Sequence, residues 1–363
     1  MAKRVDGLFP SIANFQALTA AALVAARGKR RKPGVAAFLA RLESNVLRLE
    51  RALLAGSWRP GEYTVIEVND PKPRRVSAAP FRDRVVHHAI CAVVEPIFER
   101  GFIHDNYANR VGKGTHRAID RYEHYRDRHA HVLRCDIYRF FPGIDHEILK
   151  RDLRRRIACP QTLALMDRII DGSNPQEAVN LYFPGDDLFA PFERRRGLPI
   201  GNLTSQFFAN VYLDGFDHWV KEVLRAPYVR YVDDFALFHD DPVVLAEWQG
   251  RIVRYFEQRR LRLHPRKTCI QPCAEPAEFL GMVLCKPGLR RLPEANVRRF
   301  RNRLQGLRDR WRAGTVSRDE VQQRVQAWLA HAAHAKTWRL RHAIFRDGWF
   351  DPAWSDGSNV MEA

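Results

Sequence analysis

Three aspartates stand among apolar residues, where a solvated acid has no reason to be. Asp136 ends the run Val132-Leu133-Arg134-Cys135, and Asp233 and Asp234 lie within Tyr231-Val232-Asp233-Asp234-Phe235-Ala236-Leu237. The flanks read as short strands, with Asp136 at a strand end and the Asp-Asp pair at the tip of a hairpin from Tyr228 to Phe238. A dense negative site of this kind is strongly destabilising unless it is neutralised. Hard divalent cations solve the problem, since magnesium binds through one or two carboxylates plus substrate phosphates. Two such ions can activate a hydroxyl nucleophile and neutralise a leaving pyrophosphate. An Asp-Asp dipeptide alone fits a plain turn, and a lone Asp fits a helix cap. The apolar flanks and the second strand-end acid favour the chemical reading.

The elements that must position these acids alternate irregularly between helix and strand. Residues 12–58 read as helical, interrupted by the basic run Lys29 to Lys32, which reads as an exposed loop or a phosphate contact. A strand follows at Tyr63–Val68, a turn at Asn69-Asp70-Pro71, and a helix from Asp83 through Val94. Residues 131–137 are a strand, while Asp145 to about Ile157 and residues 161–171 are helical. Residues 172–192, rich in Pro, Gly, Asn and Asp, form an irregular insertion. Helices are expected at 205–223 and 243–260, a strand over Glu278–Leu284, and basic helices at 294–312 and 318–343. The pattern is α+β with appended helical parts.

The chain has 363 residues, 45% of them apolar, enough for a real core. Its 60 Lys and Arg against 42 Asp and Glu leave a net charge of +18. Such an excess repels itself unless a polyanion neutralises it, and nucleic acid is the polyanion that best fits. No apolar run approaches the roughly 20 residues of a membrane span. The start of the chain lacks the apolar stretch of a signal peptide. The six cysteines form no Cys-x-x-Cys pair, so reduced thiols in a cytoplasmic protein are the expectation. His331 and His334 share a helix face, but without further ligands they do not make a metal site.

Tyr231-Val232-Asp233-Asp234 resembles the Y-x-D-D box of reverse transcriptases, and Asp136-Ile137-Tyr138-Arg139-Phe140-Phe141-Pro142-Gly143-Ile144-Asp145 resembles their first palm motif, D-x-x-x-F-F-x-x-I-D. The resemblance implies that Asp136 and Asp233 hold two Mg2+ ions, with Mn2+ able to substitute. Ile137 would lend a backbone carbonyl, and Asp234 would be a supporting acid or direct ligand. Phe141 would lie beneath the incoming sugar and collide with a 2′-OH, the group that separates ribose from deoxyribose, while Phe140 is a core residue.

Arg196-Gly197-Leu198-Pro199-Ile200-Gly201-Asn202-Leu203-Thr204-Ser205-Gln206 is similar to the family's nucleotide-pocket motif. Gly201 lets backbone approach a base or sugar, and Ser205 and Gln206 open a helix whose donors can face phosphate or base. The usual form is Q-G-x-x-x-S-P. Here Ile200 and Gln206 replace the Gln and Pro, and I-G-x-x-x-S-Q resembles the reverse transcriptases of diversity-generating retroelements. Those enzymes copy a template RNA with errors at adenines, and the cDNA replaces a variable region of a target gene. Ile200 would loosen geometric selection by exchanging a polar contact for an apolar one.

Further matches follow the same order. Pro71-Lys72-Pro73-Arg74-Arg75-Val76-Ser77 with Phe81-Arg82-Asp83-Arg84 resembles the first fingers motifs, which makes Arg74 a triphosphate contact. Asn106-Tyr107-Ala108-Asn109-Arg110-Val111-Gly112-Lys113-Gly114-Thr115 resembles Y-x-x-R-x-x-K-G, with Arg110 clamping phosphates bidentately and Lys113 on template or primer. Leu261-Arg262-Leu263-His264-Pro265-Arg266-Lys267-Thr268 resembles the next palm motif, where Lys267 either protonates the pyrophosphate or makes a backbone contact. Phe279-Leu280-Gly281 resembles the strand that grips the primer end.

The resemblance implies a right-hand polymerase: an N-terminal helical extension at 1–60, fingers and palm with an antiparallel sheet at 61–285, and a helical thumb with tail at 286–363. It implies dNTPs, template RNA and a cDNA or primer strand as ligands, a basic oligomeric accessory protein as partner, and a bacterial or phage cytoplasm as location. Two readings compete with the retroelement enzyme. One is a retron, group II intron-like or phage-defence reverse transcriptase, and the other is an RNA-binding scaffold without catalysis.

Overall fold

A computed structural model describes residues 4–68, 74–174, 177–285 and 287–345. The turn expected at Asn69-Asp70-Pro71, and Lys72 and Pro73 of the first fingers motif, lie outside these residues. So do Pro175 and Gln176 of the insertion and the end of the chain from Arg346. The fold is α+β. Strands β1 (Thr64–Val68) and β2 (Arg74–Ala78) form an antiparallel ribbon. Strands β3 (His131–Asp136), β4 (Tyr228–Tyr231), β5 (Asp234–His239) and β6 (Cys269–Pro272) form a sheet in the order β4-β5-β3-β6. Strands β7 (Ala277–Phe279), β8 (Met282–Leu284) and β9 (Arg290–Arg291) make an antiparallel meander.

Packing divides the chain into two units, one of residues 1–114 with 133–270 and the other of residues 115–132 with 271–363. The N-terminal helices therefore belong with the body that carries the acids. The helical part expected at 12–58 runs from Phe9 to Leu54 as four helices, Phe9–Ile12, Phe15–Ala25, Pro33–Ala40 and Leu42–Leu54. Ala21, Ala22 and Ala25 are buried on one face of the second of these, and that helix packs on Phe81–Glu99. Small side chains there let the two backbones come close.

The helix Leu203–Trp219 is buried along nearly its whole length and lies at the centre of the first unit. Phe216 meets Tyr228 of β4 and Phe235 of β5 edge-on and lies tilted against Phe256 of the helix Pro242–Gln258. One fully buried ring thus joins the central helix, the hairpin that bears the acids and the outer helix.

The insertion is anchored although irregular. Arg194 pairs with Asp186, Arg196 Nη2 donates to Asn180 Oδ1 at 3.0 Å, and Arg262 Nη2 donates to the Tyr182 carbonyl at 2.7 Å.

In the second unit, the expected strand Glu278–Leu284 is a hairpin. Phe279 pairs with Met282 across Leu280 (φ +49°) and Gly281 (φ +79°). Two successive left-handed residues reverse the chain there, a geometry that period-two apolar patterning does not reveal. The basic helix Glu294–Arg312 begins and ends where expected, whereas the last helix is two, Arg318–Ala333 and Trp338–Phe345. Phe300, Leu304, Leu307, Val321, Val325 and Ile344 form a separate small core, with Phe300 stacked on Trp328 at 3.8 Å.

Because Phe216 is fully enclosed, truncating it leaves a cavity at the meeting point of three elements. Phe216→Ala should destabilise the first unit by about 3–5 kcal/mol, read as a lowered urea midpoint.

Candidate active site

The hairpin closes on two residues, Val232 and Asp233, between the paired Tyr231 and Asp234. Val232 has φ +57°, a region that β-branched residues avoid, and holding it there costs on the order of 1–3 kcal/mol. Arg230 secures it by donating from Nη1 to the Val232 carbonyl at 2.9 Å. Its other nitrogens grip Asp217 of the central helix, Nε to Oδ1 at 2.7 Å and Nη2 to Oδ2 at 2.6 Å. Tyr228 donates its hydroxyl to the same Oδ1 at 2.8 Å. Both charged side chains are fully buried. The bidentate geometry and the extra hydrogen bonds are what such a pair needs to offset its desolvation. The Arg230 amide also donates to the Asp105 carbonyl, and the Arg230 carbonyl accepts from the Tyr107 amide. Asn210 Nδ2 donates to the Ala108 carbonyl at 2.9 Å, so residues 105–108 are fastened beside the turn.

Asp136, at the end of β3, is 7% exposed. The Ile137 amide donates to the Asp233 carbonyl at 3.3 Å, and the Asp136 carbonyl accepts from the His264 amide at 2.7 Å. These bonds bring the first palm motif, the Asp-Asp turn and the 261–268 segment to one place. Burial, then the charge of Asp136, pushes the Asp233 carboxyl up to about 6. Burial, then the charges of Asp233 and Asp136, pushes Asp234 up to about 7. Lys267 opposes both shifts, and its Nζ lies 2.6 Å from Asp136 Oδ2. Arg74, exposed on β2, also lowers Asp233, so its charge reaches the acids.

Three carboxyls crowded at one turn, with Asp233 and Asp234 both pushed up, offer the hard oxygen donors a divalent cation takes. Among the described residues no three such side chains are posed as ligands around one point. The donor chemistry fits a cation, and one oxygen of the set, Asp136 Oδ2, is held by Lys267.

The nucleotide-pocket motif lies along β2. The Ser77 amide donates to the Ile200 carbonyl at 3.0 Å, and Asn202 Nδ2 donates to the Ser77 carbonyl at 3.2 Å. Gly201 has φ +109°, and a Cβ there would stand 2.7 Å from Val76 Cγ1, so both conformation and space require glycine. The helix starts at Leu203, two residues before the expected opening. Ser205 is buried in its first turn, and Gln206 is half-buried. Phe140 is buried in the core, whereas Phe141 beside it is half-buried, with its carbonyl accepting from the Leu198 amide.

Arg110, expected to clamp phosphates, is engaged within the protein in this structure. Its Nε donates to both Glu99 carboxylate oxygens at 2.8 and 3.0 Å, its Nη1 donates to the Ile103 and Asn106 carbonyls, and its Nη2 lies 2.7 Å from Glu99 Oε1. With every nitrogen engaged and the side chain 6% exposed, Arg110 braces the 99–110 segment. Lys113 donates to the His104 carbonyl at 2.9 Å and lies over the Tyr107 ring. Gly281 is in the hairpin turn of the second unit.

Sequence reasoning passed over Arg230 and Asp217. Their signal was present: a cation inside the apolar strand Tyr228-Val229-Arg230-Tyr231, and an acid on the buried side of an apolar helix. Charges in such places need partners, and these two have each other.

The chain belongs to the reverse transcriptase (RNA-dependent DNA polymerase) family, whose model matches residues 66–284. A curated relative, Protein YkfC of Escherichia coli strain K12, is 26% identical over 190 residues, 50% of this chain and 47% of its own length. This chain thus spans about half the length of that relative. Among solved structures, apo telomerase from Candida tropicalis truncated from its C-terminal domain aligns with a TM-score of 0.47 at 10% identity, over 69% of this chain and 60% of that one. Telomerase from Candida albicans in complex with a fragment of telomeric RNA aligns with a TM-score of 0.43 at 13% identity, over 68% and 49%.

Two measurements test the electrostatics. Between the ordinary carboxylate range and about pH 7 the folded chain keeps protons on Asp233 and Asp234 that the unfolded chain has released, so their contribution to stability falls as pH rises. In metal-free protein, the midpoint of Asp234→Asn relative to wild type should therefore climb by on the order of 3 °C from about pH 4.5 to about pH 7.5. A flat difference would show an unperturbed carboxyl. Arg230→Met strands Asp217 and should cost about 3–5 kcal/mol by urea unfolding, with Asp217→Asn in the same chain recovering part of the loss.

Proposed function

We propose that this chain is an RNA-directed DNA polymerase that joins deoxynucleotides by two-metal nucleotidyl transfer. The observation that carries the proposal is the convergence of Asp136, Asp233 and Asp234 at one turn, inside the segment that matches the family. Asp136 and Asp233 would hold the divalent ions, Mg2+ or Mn2+, with the Ile137 carbonyl as a further oxygen donor and Asp234 in support. When bound, the ions supply the positive charge that activates a hydroxyl and steadies a leaving pyrophosphate.

The chain's own groups do the rest. Arg74 reaches the acids by charge and meets the triphosphate. Phe141, half-buried beside a core phenylalanine, sets the floor under the sugar and refuses a 2′-OH. Gly201 lets the backbone close on the nucleotide, flanked by Ile200, Ser205 and Gln206. Lys267 moves from Asp136 to the pyrophosphate, where its ammonium can give up a proton. Lys113 and Gly281 meet template or primer. Fingers and palm fall at 61–285 and the thumb at 286–363, after the extension at 1–60.

Within the family, the form I-G-x-x-x-S-Q across Ile200 to Gln206 supports a diversity-generating retroelement enzyme, error-prone at template adenines and working with a basic oligomeric partner. With both proteins cationic, RNA has to bridge them.

Primer extension on an adenine-containing RNA template, with the cDNA sequenced, tests both levels. Wild type should incorporate dNTPs only with a divalent metal, and Asp233→Asn should lose at least about a thousandfold in rate. Errors should concentrate opposite adenine and fall in Ile200→Gln. Accurate cDNA would keep the polymerase and remove the retroelement assignment. No metal-dependent cDNA, with RNA binding intact, would leave a scaffold.

A further inference from the structure

From Gly7 to Leu42 the chain has no acidic residue, yet Arg27, Lys29, Arg30, Arg31 and Lys32 fall within six consecutive positions. All five are exposed. Among the described residues none of their side chains forms a hydrogen bond or an ion pair. That sets them apart from much of the chain's other arginine. Arg110, Arg194, Arg230, Arg259 and Arg290 are all tied to carboxylates.

The loop that displays them is built, not slack. Ala26 and Val35 are buried at its two ends. Between them the Lys29 amide donates to the Ala26 carbonyl at 2.9 Å and the Lys32 amide to the Lys29 carbonyl at 3.0 Å. Gly28 takes a left-handed φ of +67° that permits the reversal. The Lys32 carbonyl then accepts from the Val35 and Ala36 amides as the helix Pro33–Ala40 begins. Burial, then the charges of Lys29 and Arg84, lowers the His88 imidazole of the helix Phe81–Glu99, so the charge of the loop is felt on that helix.

Like charges this close repel, and among the described residues no carboxylate pairs with any of the five. A partner that brings several negative charges along one path relieves that repulsion, and a phosphodiester backbone supplies them while releasing its own counterions. We propose that the loop 27–32 is an RNA-backbone binding site on the N-terminal extension, separate from the carboxylate site. It contacts phosphates without reading bases, because exposed Lys and Arg on a turn give charge and no base-edge geometry. It therefore holds template RNA at a second point. The choice of RNA over other polyanions rests on the polymerase reading above.

The test is equilibrium binding of a labelled RNA of about 30 nucleotides, in EDTA so that catalysis plays no part, from about 50 to about 200 mM salt. The loop variant carries Lys29→Gln, Arg30→Gln, Arg31→Gln and Lys32→Gln. A control variant removes the same charge from exposed sites elsewhere, Arg48→Gln, Arg100→Gln, Arg225→Gln and Arg254→Gln. The expected result is a salt slope shallower by about 3 and at least about tenfold weaker binding in the loop variant, with little change in the control. Equal binding by loop variant and wild type, or equal losses in both variants, would overturn the site. So would capture of wild type by phosphatidylserine vesicles that RNA does not displace. Wild type that fails to extend a primer while the loop variant loses RNA affinity would remove the polymerase reading and leave the binding site standing.

Discussion

A guanidinium buried between a helix and a hairpin is the constraint from which the rest of this site is assembled. Arg230 reaches Asp217 on one side and the Val232 carbonyl on the other, while its own backbone pairs with residues 105–107. Without a donor at that carbonyl, a valine in the left-handed region has little reason to stay there. The turn's shape sets where Asp233 and Asp234 stand, and the Asp233 carbonyl in turn receives the Ile137 amide that brings Asp136 alongside. Strain at the turn, charge at the acids and burial of the pair are one linked arrangement.

The same arrangement explains how half-buried acids come to be pushed up. Apolar strands and the Phe216 cluster enclose the hairpin, and enclosure raises Asp233 and Asp234 towards neutrality. A site so prepared has a strong appetite for positive charge and little for anything else. Lys267 and Arg74 answer part of it from the chain itself.

Much of this was legible in the amino-acid order. Apolar flanks around Asp136 and around the Asp-Asp pair marked both strands and the turn, and helix periodicity placed Glu294–Arg312 to the residue. What stayed hidden depends on three-dimensional partners. Arg110 has the type and spacing of a phosphate ligand, but only packing reveals that Glu99 takes its fork. The hairpin at Leu280-Gly281 needs two left-handed residues, and a leucine in that conformation carries no signal in composition. Arg230 and Asp217 are 13 positions apart on different elements, so neither names the other until the helix lies on the strand.

The ion pair between Lys267 and Asp136 has a consequence for how the molecule comes into being. A small metal-nucleated domain stays unfolded until its ion arrives, because its ligands repel one another before then. Here a lysine already supplies a counter-charge to the first acid, so the folded chain carries its own placeholder. Any outside cation that approaches Asp136 therefore competes with an amine already seated there.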